Sequence, residues 1–261
     1  MNLPPEYTPR PPLEEVNFTP PGSHLKQLGI LVLGVLGIIA VLYMLAGLAV
    51  NALAPYIPAS VEISVGRLVE HALPVVENPG QSRRLNALLK TLLPHMGEEA
   101  ERLPYRVVVS NDPTVNAVAL PGGKIVVFTG LLDILDSDEE IVFVLAHELG
   151  HFAHRDHIKK LGRGVLALSL AIMLTGQDSW VSETVSSMAL GVENTYSRGQ
   201  EYRADEYALA LLRKATGSDR AAFSFMDKVL GLDNTGPLFH YFATHPHPAD
   251  RLRNLKNKKS D

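Results

Sequence analysis

The chain has 261 residues, enough for one substantial domain with appendages, and its net charge of −4 comes without a basic stripe, which argues against nucleic acid as a partner. Cysteine is absent, so disulfides and thiolate metal sites are both excluded, and any metal must be held by His, Asp or Glu. The same absence fits an oxidising or a reducing compartment.

Residues 1–27 are rich in proline, with pairs at Pro4-Pro5, Pro11-Pro12 and Pro20-Pro21, and lack apolar periodicity, so a disordered tail is expected. Leu28 to Val50 then runs without a charged residue. As a helix it would extend about 34 Å against a bilayer core of about 30 Å, and one transmembrane helix is expected over residues 28–53. A buried core helix of that length would carry some polar face. A cleaved signal peptide would match the form of Ala52-Leu53-Ala54, but its apolar run is shorter and its preceding segment briefer. Arg10 and Lys26 before the span and Arg67 after it tilt the soluble part toward the non-cytoplasmic (periplasmic) side.

A soluble domain is expected over residues 60–258. Helical apolar spacing covers 61–77 and 82–95, the second through Leu85, Leu88, Leu89, Leu92 and Leu93. Residues 105–112 read as a strand, and 116–120 with 124–130 as a hairpin across the turn Pro121-Gly122-Gly123. Ser137 to Glu140 has the form of a capping box in front of a helix that runs into His147. The apolar stretch 165–174 is too short to span a bilayer alone and reads as a core helix or a lid, with half of a membrane hairpin as the alternative. Residues 195–214, 219–230 and 248–258 have helical patterns, and no internal repeat is visible.

The stretch HELGHFAHRDH (147–157) holds four histidines. Residues four apart on a helix lie about 40° apart around the axis, so His147 and His151 project side by side and can share one metal ion. Glu148, next to His147, can reach a water on that ion as general base without being a ligand. For a third ligand His157 has metzincin-like spacing, but that arrangement needs a glycine turn where His154 stands. If the helix continues, His157 faces about 240° away from His151, and His154 lies about 10 Å along the axis from His147. The other candidate is Glu201, on a second helical segment where Glu201 and Asp205 face one way. Glu201 would complete a two-His, one-Glu site with an open position, and Asp205 could accept the free ring N–H of a ligating histidine. A solvated charged face is the plain alternative for that segment, and only the neighbouring histidine helix tips the balance.

With these motifs in order, NAVALPGG (116–123), AHELGH (146–151), SRGQEYRAD (197–205) and THPHPADR (244–251), residues 60–255 resemble a family of membrane-linked zinc metalloproteases. That family includes the CAAX prenyl endopeptidases, the HtpX heat-shock protease and the mitochondrial inner-membrane stress protease. The resemblance implies one Zn²⁺ per chain held by His147, His151 and Glu201, with Glu148 as general base. It implies Asp205 and Arg251 as supporting groups and His245 as a catalytic donor to the oxyanion. It also implies that Asn116, Ala117, Val118 and Ala119 form an edge strand that pairs with an extended protein or peptide substrate. The expected fold is α+β and predominantly α, a zincin-like metalloprotease domain with a small β-sheet behind one transmembrane helix. The multi-span members hold several membrane helices and this chain one, which suits clipping of misfolded or membrane-adjacent proteins. The rival reading is a membrane-anchored chaperone-like or binding module with a structural zinc.

Overall fold

The computed structural model describes residues 24–72, 75–177, 179, 196–231 and 239–259. The expected proline-rich tail lies outside the described residues up to residue 23, and the chain is already helical from His24. Helix α1 (His24–Leu53) is, among the described residues, the one helix long and apolar enough to cross a bilayer. Its mean hydropathy reaches 2.8 and none of that stretch is buried. The part up to Met44 forms a unit of its own, a bare apolar rod. The second unit begins at Leu45 and contains every element described below.

Helix α2 (Ala59–Ala72) stops five residues short of the expected end at 77. Pro74 has no N–H to donate and disfavours helical geometry in the residue before it. Asn78 N instead donates to Val109 O in the first strand, and Asn111 N just after that strand donates to Val76 O, each at 2.8 Å. Asn78 then caps α3 (Pro79–Leu92) by accepting from Gln81 N, with Pro79 at the first helical position where its missing N–H costs nothing. Leu85, Leu89 and Leu92 form the buried stripe of α3, at the three- and four-residue spacing of a helix face.

The sheet has three strands, β1 (Arg106–Ser110), β2 (Ala117–Leu120) and β3 (Lys124–Phe128), in the order β1-β3-β2. The hairpin β2–β3 is antiparallel with Leu120 opposite Lys124, and its turn places Gly122 and Gly123 at φ of 82° and 85°, where a Cβ would be strained. Strand β1 joins β3 in parallel, which leaves β2 at an edge among the described residues. Residues 129 and 130, expected to continue β3, begin the short helix α4 (Thr129–Leu132).

Helix α5 (Asp138–Ala153) is buried from Glu140 to Phe152 and forms the axis of the domain. Only half of the expected capping box exists. Ser137 Oγ accepts from Glu140 N, but the Glu140 carboxylate accepts from Asp136 N, Ser224 and Lys228 instead of reaching back to Ser137. The helix does not continue through His157. It ends at Ala153, Arg155 takes a left-handed φ of 57°, and α6 (Asp156–Thr175) departs from there. Within 165–174 Val165, Ile172, Met173 and Leu174 are exposed and Ala171 is buried.

Helix α7 (Arg198–Thr216) opens with a complete capping box, Ser197 with Gln200, and closes on Gly217 at φ 73°. It lies along α5, and Gly150 packs directly against it. A Cβ there would stand 2.8 Å from Ala204 Cα and 2.9 Å from its carbonyl oxygen, so the two helices meet only because residue 150 has no side chain. Helices α8 (Arg220–Gly231), α9 (Phe239–Thr244) and α10 (Pro248–Lys259) pack behind α5 and α7. Phe143, Leu145, Leu149, Phe225, Leu212 and Leu255 are among the fully buried side chains of the shared core, each stabilising the fold by about 1.5–3 kcal/mol. The domain is α+β and predominantly α, with the sheet on one flank of α5.

Candidate metal centre

His147 and His151, one turn apart on α5, bring their Nε2 atoms to 3.1 Å of each other. Helix α7 adds Glu201, whose Oε2 is 3.6 Å from His147 Nε2 and whose Oε1 is 3.5 Å from His151 Nε2. The loop after α9 adds His245, with Nδ1 3.3 Å from His147 Nε2 and 3.2 Å from Glu201 Oε1. One donor atom from each of these four buried residues lies within 4.8 Å of the others.

Protonation explains why such a cluster suits a cation. His147 Nδ1 is 2.9 Å from Asp205 Oδ1, and His151 Nδ1 is 3.3 Å from Asp156 Oδ2. A carboxylate at Nδ1 keeps the ring proton there, so each Nε2 turns a lone pair toward the other and toward the Glu201 carboxylate. Two imidazoles and a carboxylate thus converge on one point, and with both rings neutral each Nε2 is free to ligate. Ligands about 2.0–2.1 Å from a tetrahedral ion stand about 3.3–3.4 Å apart, within the observed 3.1–3.6 Å. The residues present therefore fit a divalent metal.

Electrostatics around the cluster are arranged by Arg251 on α10, which is fully buried. Its Nε and Nη2 donate to the two oxygens of Asp205, each at 2.7 Å, and Nη1 is 2.8 Å from Glu201 Oε2. Burial would raise the pKa of Glu201, but Arg251 and then His245 outweigh it and hold the carboxyl well below its usual range. Burial likewise pushes Asp205 up, and Arg251 and His147 bring it below normal. Burial lowers His147. For His151 burial is outweighed by Asp156 and Glu201, which raise it to about 9 in the metal-free protein.

Glu148 follows His147 on α5 and is buried, with Oε1 3.7 Å from His245 Nε2 and no hydrogen-bond partner for Oε2 among the described residues. A buried carboxylate oxygen left free beside a metal position is placed to accept a proton. Residues 116–119 are all buried. Asn116 Oδ1 accepts from Ala117 N and Thr244 Oγ1, tying the start of β2 to the residue before His245. What β2 offers is backbone: Ala117 O lies 3.5 Å from His245 Nε2.

His154 and His157 stay out of the cluster, for reasons the sequence geometry did not contain. His154 Nδ1 turns back to Gly150 O at 2.8 Å. His157 is buried, with Nε2 2.6 Å from Glu62 Oε1 on α2. Two neighbours of His151 had not been anticipated. Asp156 reaches its Nδ1 only because the chain turns at Arg155, and Tyr196 stacks on its ring with centroids 3.8 Å apart at 12°. No spacing in the sequence marks either.

A helix pair carrying two histidines and a glutamate around one point, with a free carboxylate beside it and a small sheet alongside, defines a zincin-like metallopeptidase domain. The family model of peptidase family M48 matches residues 79–259, most of the chain, and the chain belongs to that family. It is 36% identical over 158 residues to the mitochondrial metalloendopeptidase OMA1 of Arabidopsis thaliana, covering 59% of this chain and 32% of that protein. It is 29% identical over 180 residues to the metalloprotease LoiP of Escherichia coli (66% of this chain, 69% of LoiP). It is 24% identical over 205 residues to the beta-barrel assembly-enhancing protease of Yersinia pestis (74% of this chain, 42% of that protein). The chain thus spans about a third of the plant relative and under half of the Yersinia one.

Proposed function

We propose that the chain is a membrane-anchored zinc metalloendopeptidase. The observation that carries this reading is the convergence of His147 Nε2, His151 Nε2 and the Glu201 carboxylate, with the free oxygen of Glu148 beside them. One zinc ion per chain, held by His147, His151 and Glu201, would supply Lewis acidity that acidifies water and polarises an amide carbonyl. Glu148 takes the proton from the attacking water and returns it to the leaving amine nitrogen. Asp205 and Asp156 keep the protons of His147 and His151 on Nδ1, and Arg251 fixes the two carboxylates of α7. The edge of β2 holds an extended substrate by backbone hydrogen bonds, and His245 donates to the developing oxyanion.

Recognition through backbone hydrogen bonds selects chains that can become extended, whatever their sequence. Together with the anchor over residues 28–53, this favours misfolded or membrane-adjacent proteins as substrates in protein quality control. The three basic residues flanking the span favour the non-cytoplasmic (periplasmic) side for the catalytic domain, to be tested by protease accessibility in sealed vesicles.

Glu148→Gln keeps one zinc per chain and abolishes proteolysis, and undiminished cleavage by that variant would sink the assignment. Glu201→Ala loses the metal; full metal content would put the third ligand elsewhere. A second reading rests on His245, whose Nδ1 is near enough to complete a closed four-ligand structural site, as a chaperone-like or binding module would have. His245→Ala separates the two. Loss of turnover with metal retained supports the oxyanion donor, whereas loss of metal from a protein that cleaves no substrate in either form supports the closed structural site.

A further inference from the structure

The end of α1, the start of α6 and the start of α7 enclose a polar cavity of about 730 Å³. Lys159, Arg163 and Arg203 line it, together with Asn51 and Tyr196, and no carboxylate does among the described residues. The three cations are only partly neutralised from below. Asp156 Oδ1 is 3.2 Å from Lys159 Nζ and 3.8 Å from Arg203 Nη2, so two cations share one negative charge. Arg163 donates to the neutral amide oxygen of Asn51 at 3.2 Å. The Tyr196 hydroxyl is buried and has no hydrogen-bond partner among the described residues, and Lys160 Nζ stands 4.5 Å above its ring.

A second cavity begins one residue away on both helices. Val50 and Gly162, the neighbours of Asn51 and Arg163, line a space of about 550 Å³ whose other walls are almost wholly apolar, including Ala46, Ile57, Val65 and Leu161. Gly162 brings α6 so close to α1 that a Cβ there would sit 2.7 Å from Val50 Cγ1. Asn51 is the first polar residue after the uncharged run 28–50, which sets it at the bilayer surface if α1 spans. A cationic hollow and an apolar one therefore adjoin at the end of α1, the pairing that the phosphate and an acyl chain of one phospholipid require.

We propose that the paired cavities bind an anionic phospholipid of the bilayer that α1 crosses, on the reading of α1 as a membrane span. Its phosphate lies against Arg163, Arg203 and Lys159, and an acyl chain fills the apolar cavity. Guanidinium groups suit the phosphate through paired N–H donors, and basic residues at a membrane surface favour anionic headgroups. A soluble phosphate ester would answer the cations but would leave the apolar cavity and its place at the end of the span without a role.

The test reconstitutes the full chain in nanodiscs of phosphatidylcholine containing a minority of phosphatidylglycerol, re-extracts it in neutral detergent and counts retained lipids by native mass spectrometry. Phosphatidylglycerol is expected to be enriched over its share in the disc, and inorganic phosphate added during extraction is expected not to displace it. Arg163→Gln with Arg203→Gln should lower the enrichment about 25-fold, at about fivefold per basic residue, whereas Arg163→Lys with Arg203→Lys should keep most of it. Ala49→Phe, which fills the apolar cavity and leaves the cations intact, should lower retention as well. Equal retention of the two lipids by the wild type, or enrichment unchanged in the glutamine pair or in Ala49→Phe, overturns the proposal. Displacement by inorganic phosphate alone also overturns it and assigns the basic cavity to a soluble phosphate.

Discussion

Gly150→Ala tests whether the spacing of two helices sets the metal affinity. The new methyl would stand 2.8 Å from Ala204 Cα and 2.9 Å from Ala204 O, where ordinary contact begins at about 3.4 Å, so α5 and α7 must separate by about 0.6 Å. Neither close atom belongs to a side chain, so no rotamer change relieves the clash. His147 and His151 ride on one helix and Glu201 on the other, three residues before Ala204. Metal–ligand bonds tolerate about 0.2 Å, so a 0.6 Å separation exceeds what the site can absorb. Overpacking costs about 1–3 kcal/mol, offset by about 1 kcal/mol from the better helix propensity of alanine. The chelated variant should therefore unfold within about 2 kcal/mol of wild type, while zinc affinity falls about 10–100-fold, as for loss of an outer partner. Chelator competition measures the affinity and urea unfolding of the chelated protein the stability. Wild-type zinc affinity in a folded Gly150→Ala protein would refute the argument.

Other outcomes follow from the buried charges. Arg251→Met should destabilise the chelated protein by about 3–5 kcal/mol, since it leaves Glu201 and Asp205 buried without their cation, and by less when metal is bound; urea unfolding in both states gives the difference. Asp156→Asn and Asp205→Asn should each weaken zinc binding about 10–100-fold, read by the same chelator competition. For Glu62 burial pushes the pKa up, but His157, Arg102 and Arg155 bring it below its ordinary value. Its contribution to stability is thus complete above the unfolded carboxylate range near 4.3 and is lost as pH falls through the folded value. Glu62→Gln should flatten the acid limb of a stability-against-pH curve, and an unchanged limb would place the acid sensitivity elsewhere.

The residues that converge at the metal position were legible because the relevant geometry is local. His147 with His151, and Glu201 with Asp205, are helical i, i+4 pairs whose common direction follows from 3.6 residues per turn. Asp156 was not legible, because its approach to His151 depends on the left-handed residue Arg155, and extrapolating a straight helix carried the chain the wrong way. The place of His157 was not legible for the same reason, and its partner Glu62 lies 95 residues earlier, at a separation no periodicity reports. The hairpin was readable from its glycine turn, whereas the parallel pairing of β1 with β3 is a tertiary choice. The apolar stretch 165–174 left core helix, lid and membrane hairpin open because hydrophobicity alone does not say which side chains are covered, and among them Met173 and Leu174 are exposed while Ala171 is buried.

The candidate ligands also sit far apart along the chain, with Glu201 fifty residues after His151. A bound ion is thereby a removable crosslink between α5 and α7. A fixed bridge closing a loop of that length would remove roughly 4 kcal/mol of entropy from the unfolded chain. Metal supply then becomes a setting of mechanical durability as well as of chemistry. Where the ion is scarce the two helices lose their tie, and the domain becomes prey to the class of enzyme it resembles.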